Sequence, residues 1–237
     1  MMRATNQIAR SRRAHRPYGS GRQRLNRRIV LAATLGLIAA RATALSAAEP
    51  VRIVAIGDSL TAGYGLEQGT GFVPQLDAWL AENGAPEAKV VNMGVSGDTT
   101  AGGKARLDWA LADGADAVMI ALGANDLLRG VQPAESRANL TAMLDALQVR
   151  GLPVLLAGIS APNNYGPDYK AEFDRIYPEL SEEYGAILHP SFLAGLSGEP
   201  ALFQSDGLHP NAEGVARMVD AIGPRVLELI ARVEGAT

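Results

Sequence analysis

From Val51 onward the chain repeats one pattern: a short run of β-branched and other apolar residues, then a longer amphipathic stretch. Strands read in this way fall near 51–56, 88–92, 116–122, 153–158 and 186–188, and helices near 71–83, 101–112, 134–149, 168–184 and 211–233. Several of the helices are closed by glycine, as at Gly84, Gly114, Gly151 and Gly185. Strands that alternate strictly with helices pair in parallel, because each helix supplies the long crossover that parallel neighbours need. The prediction is a doubly wound α/β sandwich. No internal repeat or low-complexity linker breaks the order, so residues 49–237 are expected to form one domain. At 237 residues and 47% hydrophobic content, the chain can bury a full core.

The first 48 residues do not fit that pattern. They hold ten Lys/Arg and no Asp or Glu, and they lead into an apolar run from Ile29 to Ala40. Such a run is too short to span a bilayer comfortably. A basic segment, a short apolar core and a small-residue tail form the pattern that signal peptidase reads. Residues 1–48 are therefore expected to be a signal peptide, with Ala42-Thr43-Ala44 or Ser46-Ala47-Ala48 as its tail and cleavage near Ala48. The mature chain is then periplasmic or secreted. An uncleaved anchor is the alternative reading, and Arg27-Arg28 leaves a twin-arginine route open.

Cleavage would remove ten of the 22 basic residues and none of the 25 acidic ones, leaving a formal charge of −13. A chain this acidic repels phosphate backbones and anionic surfaces, so neither a nucleic-acid partner nor stable membrane insertion after signal cleavage is expected. The absence of cysteine excludes a disulfide framework, a thiol nucleophile and a thiolate metal site. Of three histidines, His15 falls in the presumed signal, which leaves His189 and His209.

The run Ile53 to Leu60 sets Ser59 directly after a buried strand, at the strand tips where open α/β sheets bind ligands. A serine there can be a nucleophile or simply a helix cap. The next two strands end in Asn92-Met93-Gly94 and Gly123-Ala124-Asn125-Asp126. Gly94 can bring a backbone N–H close to a ligand, and the Asn125 carboxamide can donate a second hydrogen bond. Ser205-Asp206-Gly207-Leu208-His209 precedes the last helix, and Asp206 and His209, three apart on a turn, can meet side by side. A base that accepts a serine proton needs a near-neutral pKa and an acidic partner to fix its tautomer. His189 is the rival base, without a neighbouring carboxylate in sequence. The irregular segment Ala161 to Lys170 overhangs the same rim, and Tyr64, Leu66, Pro162 and Tyr165 are candidates for lining a substrate pocket. The turn after the first strand is neither a dinucleotide fingerprint nor a P-loop.

Taken in order, Gly57-Asp58-Ser59-Leu60, the Gly94 turn, Gly123-Ala124-Asn125-Asp126 and Asp206-Gly207-Leu208-His209 resemble the blocks of the SGNH (GDSL) hydrolase family. The resemblance extends through Val95-Ser96-Gly97-Asp98-Thr99-Thr100, Asn164-Tyr165-Gly166 and Ile176-Tyr177-Pro178, strings similar to periplasmic arylesterases and acyl-CoA thioesterases with lysophospholipase activity. It implies a three-layer α/β/α, flavodoxin-like fold with a five-stranded parallel sheet and no metal or organic cofactor. It also implies hydrolysis of small-molecule acyl esters or thioesters through an acyl-enzyme; a monomer is expected. In that scheme Ser59 is the nucleophile, His209 the general base and acid, and Asp206 its orienting partner. The N–H groups of Ser59 and Gly94 with the Asn125 side chain form the oxyanion hole. Ala124 departs from many relatives, which carry glycine there, and the change adds a methyl group beside the oxyanion hole. Two other readings stay open: an acetylesterase for O-acetylated carbohydrate using the same residues, and a non-catalytic periplasmic binding protein on this scaffold.

Overall fold

In the computed structural model, which describes residues 50–235, the anticipated strands form one sheet. The expected signal peptide lies outside the described residues. The strands are β1 (Arg52–Gly57), β2 (Lys89–Gly94), β3 (Ala117–Ala121), β4 (Val154–Ala157) and β5 (Ile187–His189). All neighbours pair in parallel, in the order β2-β1-β3-β4-β5. The helices are α1 (Ser59–Ala62), α2 (Phe72–Glu82), α3 (Thr100–Ala105), α4 (Leu107–Ala110), α5 (Ala124–Arg129), α6 (Pro133–Val149), α7 (Pro167–Asp174), α8 (Ile176–Tyr184) and α9 (Ala212–Glu234).

Side chains of successive strand residues point to opposite faces, and β1 shows how the chain uses this to build two cores. Ile53 and Ala55 pack with Phe72, Leu76 and Leu80 of α2 and with Met218, Ile222 and Val226 of α9. Val54 and Ile56 face the other way, towards Leu140, Met143 and Leu144 of α6 and Phe173, Ile176 and Leu180 of α7 and α8. A sheet covered on both faces reads as continuous apolar runs, as β1 and β3 do here, and the result is a three-layer α/β/α sandwich.

Three differences from the sequence prediction have local causes. The helix expected over 168–184 is two, because Pro178 has no N–H to donate to the carbonyl of Asp174, where α7 ends. The one expected over 101–112 breaks at Arg106, whose φ of −108° and ψ of 9° close α3 after its weak Gly102-Gly103 centre. A helix not anticipated, α5, starts directly after β3, with Gly123 at φ 122° before it. Pro224, by contrast, sits inside α9 without ending it.

After β1 the chain turns to one side for β2 and then to the other for β3, so the crevice beside β1 is the topological switch point. Gly57 is in register with both Gly94 and Ala121. The loops after these three strands therefore leave the sheet at one height and meet over the same opening.

Candidate active site

Asp58 settles what Ser59 does locally. Its side chain, 1% exposed, accepts the Leu60 N–H at 3.0 Å and so caps α1. Ser59 is consequently the first helical residue, and its hydroxyl is not consumed by capping. That hydroxyl lies 2.9 Å from Nε2 of His209, 150 residues away in sequence.

His209 is held from its other nitrogen. Nδ1 lies 2.7 Å from Oδ2 of Asp206, while Oδ1 of the same carboxylate accepts the backbone N–H groups of Leu208 (2.9 Å) and His209 (3.0 Å). The His209 N–H, then its ring, then the Leu208 N–H lower the Asp206 carboxyl to about 2. An ionised carboxylate only accepts, so Nδ1 must carry the proton and Nε2 presents its lone pair to Ser59 Oγ. The geometry is that of a hydroxyl, an imidazole base and an orienting acid in series.

The turn bearing Asp206 and His209 is fastened by Gln204, a residue without a sequence signal of its own. Its backbone N–H donates to the His209 carbonyl at 2.7 Å, and its Nε2 reaches the carbonyls of Tyr64 (2.8 Å) and Pro210 (2.9 Å). The base is thereby tied to the loop that follows the serine. The Tyr64 ring lies against His209, with centroids 4.7 Å apart.

A cavity of about 480 Å³ opens at this point, lined largely by apolar side chains that include Leu60, Leu127, Ile159 and Leu193. Ser59, His209, Asn125, Ala124 and Gly97 also line it. Of the expected pocket residues, Tyr64, Pro162 and Tyr165 take part. Tyr165 is fixed by its hydroxyl, which donates to the Leu127 carbonyl at 2.6 Å. Leu66 does not line the cavity; it is half-buried and packs against the core on the α2 side of the sheet. Ala124 opens α5 in an ordinary helical position, so the extra methyl group demands no positive φ.

The expectation for Gly94 needs correction. Its N–H does not face the cavity but donates to Oδ1 of Asn92 at 2.9 Å, and the residue is absent from the cavity wall. A Cβ at Gly94 would collide with the Ala62 backbone and lie 2.9 Å from the Asp58 carbonyl, so glycine is required for close packing against α1. Three residues on, past the end of β2, Gly97 (φ 86°) is the glycine that reaches the cavity. Among the described residues, no protein acceptor takes the N–H of Gly97 or of Ser59. Asn125 donates one amide hydrogen to Oδ2 of Asp58 at 3.3 Å. Burial raises the Asp58 carboxyl to about 6, against the opposing effect of the Leu60 N–H, His209 and Asn125.

The rival histidine sits elsewhere. His189 ends β5, is buried, does not line the cavity, and has no partner for Nε2 among the described residues. Burial lowers its pKa, which keeps it neutral in that apolar setting. Among the described residues, no group of three or more His, Asp or Glu gathers as a metal site would require, and no helix is long and apolar enough to cross a membrane.

Comparison with known proteins places the chain in a family. Residues 55–217 match the model of the GDSL-like lipase/acylhydrolase family. The chain is 40% identical over 179 residues to Esterase TesA of Pseudomonas aeruginosa, covering 75% of this chain and 89% of that one. It is 33% identical over 180 residues to Thioesterase 1/protease 1/lysophospholipase L1 of Escherichia coli, covering 75% and 84% respectively. Among solved structures it superposes on AlinE4, an SGNH-hydrolase family esterase, with a TM-score of 0.66 and 45% identity, over 77% of this chain and 98% of that one.

Proposed function

Because this chain belongs to the GDSL-like lipase/acylhydrolase family, and is thus an ester-hydrolysing enzyme, we propose that it cleaves acyl esters and thioesters through an acyl-enzyme on Ser59. The observation that carries the reading is the series of contacts from Ser59 Oγ to His209 at 2.9 Å and from His209 to Asp206 at 2.7 Å. His209 takes the hydroxyl proton as Ser59 attacks the carbonyl carbon, and returns it to the departing alcohol or thiol. A water molecule then repeats the attack on the acyl-enzyme with His209 as base, and the carboxylic acid leaves.

Both steps place negative charge on the former carbonyl oxygen. The N–H groups of Ser59 and Gly97 and the second amide hydrogen of Asn125 are the donors available on the cavity wall for that charge. Gly97 takes the part expected of Gly94. The acyl chain occupies the apolar wall, in keeping with the esterase and thioesterase names of the relatives. The basic, apolar N-terminal segment supports export to the periplasm or beyond.

The test is hydrolysis of p-nitrophenyl esters from acetyl to palmitoyl by the protein and its Ser59→Ala variant. Cleavage that depends on Ser59 and favours acyl chains longer than acetyl is expected. Cleavage confined to acetyl would transfer the reading to an O-acetyl carbohydrate esterase. Undiminished cleavage by Ser59→Ala would remove the serine from the reaction.

A further inference from the structure

Gly97 is gripped from behind the cavity. Arg129, the last residue of α5, donates from Nη2 to the Gly97 carbonyl oxygen at 2.7 Å. Like Arg52, it forms no ion pair among the described residues, whereas the other arginines there each pair with a carboxylate. Asn125 lies one turn earlier on the same helix. Between them the fully buried Asp126 accepts from Thr100 twice, from its N–H at 2.8 Å and from its hydroxyl at 2.6 Å. A single short helix therefore carries the carboxamide on the cavity wall and holds the segment bearing Gly97 at two points.

We propose that Arg129 is a positioning residue for ester hydrolysis: by holding the Gly97 carbonyl it restrains the glycine's backbone so that the Gly97 N–H and the Asn125 carboxamide converge on one oxyanion. The proposal rests on the reading of Ser59, Gly97 and Asn125 given above. Glycine at φ 86° has no side chain to restrain it, and both of its backbone torsions are soft. One backbone tie shares the load: the Asp98 N–H, in the same peptide unit as the Gly97 carbonyl, donates to the Val95 carbonyl at 3.0 Å and closes a turn around Ser96 and Gly97. The side-chain ties nearby act on other residues, on Asp98 through its ion pair with Arg106 at 2.6 Å and on Thr100 three residues downstream. Arg129 is the side chain that acts on Gly97 directly.

The two roles such a contact could have predict different losses. Arg129 is exposed and reaches a surface carbonyl, a contact that adds little to global stability. In the reaction, however, a displacement of about 1 Å in a catalytic group can cost roughly 100-fold. An interaction that matters only when charge has developed lowers kcat and leaves KM unchanged.

The experiment compares Arg129→Met and Arg129→Lys with the parent on p-nitrophenyl butyrate, together with thermal unfolding and inhibition by an alkylboronic acid. Ser59 Oγ adds to the boron with its proton passing to His209, so the adduct is an anionic tetrahedron that needs the same donors. Arg129→Met should lose about 10- to 100-fold in kcat with KM changed by less than about twofold, and boronate affinity should weaken in step. Its unfolding midpoint should hold, and Arg129→Lys, which keeps a donor, should recover most of the rate. An unchanged kcat for Arg129→Met overturns the proposal. So does a loss accompanied by a lowered midpoint and not relieved by lysine. Ser59→Ala and Asn125→Ala are run alongside: if they keep turnover, the site reading itself fails. If they lose it while Arg129→Met does not, only the role of Arg129 falls.

Discussion

Asp58 is under electrostatic strain that a single substitution should relieve. Its carboxyl is 1% exposed, and burial moves it from 3.8 to about 6. A shift of roughly 2 units corresponds to about 3 kcal/mol between the neutral and charged forms. The folded pKa is the higher one, so between about pH 4 and 6 the native state binds more protons than the unfolded chain, and stability falls as pH rises through that window. Asp58→Asn keeps the size of the side chain and, in its one amide oxygen, an acceptor for the Leu60 N–H; its –NH₂ stands where Oδ2 accepts from Asn125, and it carries no charge. Urea unfolding, followed by the fluorescence of Trp79 and Trp109, should find the two proteins nearly equal at about pH 4. By about pH 8 the variant should be the more stable by roughly 3 kcal/mol. The difference between them is the quantity to follow, since it cancels every other titrating group. A difference that stays flat across the range would refute the claim that burial destabilises this carboxylate.

Asp206→Asn should lower kcat by about 10³–10⁴-fold, because the carboxamide no longer enforces a proton on Nδ1 of His209; steady-state kinetics on a soluble ester decide it. With the Asp206 carboxyl at about 2, a pH–rate profile of the parent should show no loss attributable to that group at pH 5. Gly94→Ala should cost about 1–3 kcal/mol in urea unfolding, since the added carbon meets the α1 backbone, and an unperturbed unfolding curve would contradict that packing. Leu66→Ala should lower stability by about 1–2 kcal/mol with KM unchanged, whereas Tyr165→Ala should raise KM for longer acyl esters. Reversed effects would put Leu66 in the pocket after all.

Sequence reasoning succeeded where a residue type and its periodicity both depend on short range. The apolar runs located all five strands, and Ser59, Asp206 and His209 stood out jointly: a serine at a strand tip is commonly a helix cap, but one at the same rim as an Asp-His pair on a turn is not the usual case, and the three lie within hydrogen-bond distance in series. It misjudged Gly94 because the choice between two glycines depends on where β2 stops, and only the end of the strand shows that Gly97 is the one beyond it. Leu66 was misplaced for a related reason: an apolar residue in a loop can face a core or a cavity, and the chain path decides which. Arg129 and Gln204 gave no signal at all, since their partners are backbone carbonyls 32 and 140 residues away. The α5 helix was hidden because Asn-Asp reads as a turn, yet Asp126 is consumed by Thr100 and Ser136 instead of by its own backbone.

Asp206 and His209 meet across three residues, and Ser59 joins them across 150. The acid–base pair is thus a local object that can form as soon as its own turn closes, while the complete triad exists only once the end of the chain has settled beside its beginning. Releasing α9 would draw base and acid away from the serine together and at the same time strip Met218, Ile222 and Val226 from one face of the sheet. Turnover in this molecule therefore reports the docking of its last segment, and with it the closing of the core on that face of the sheet.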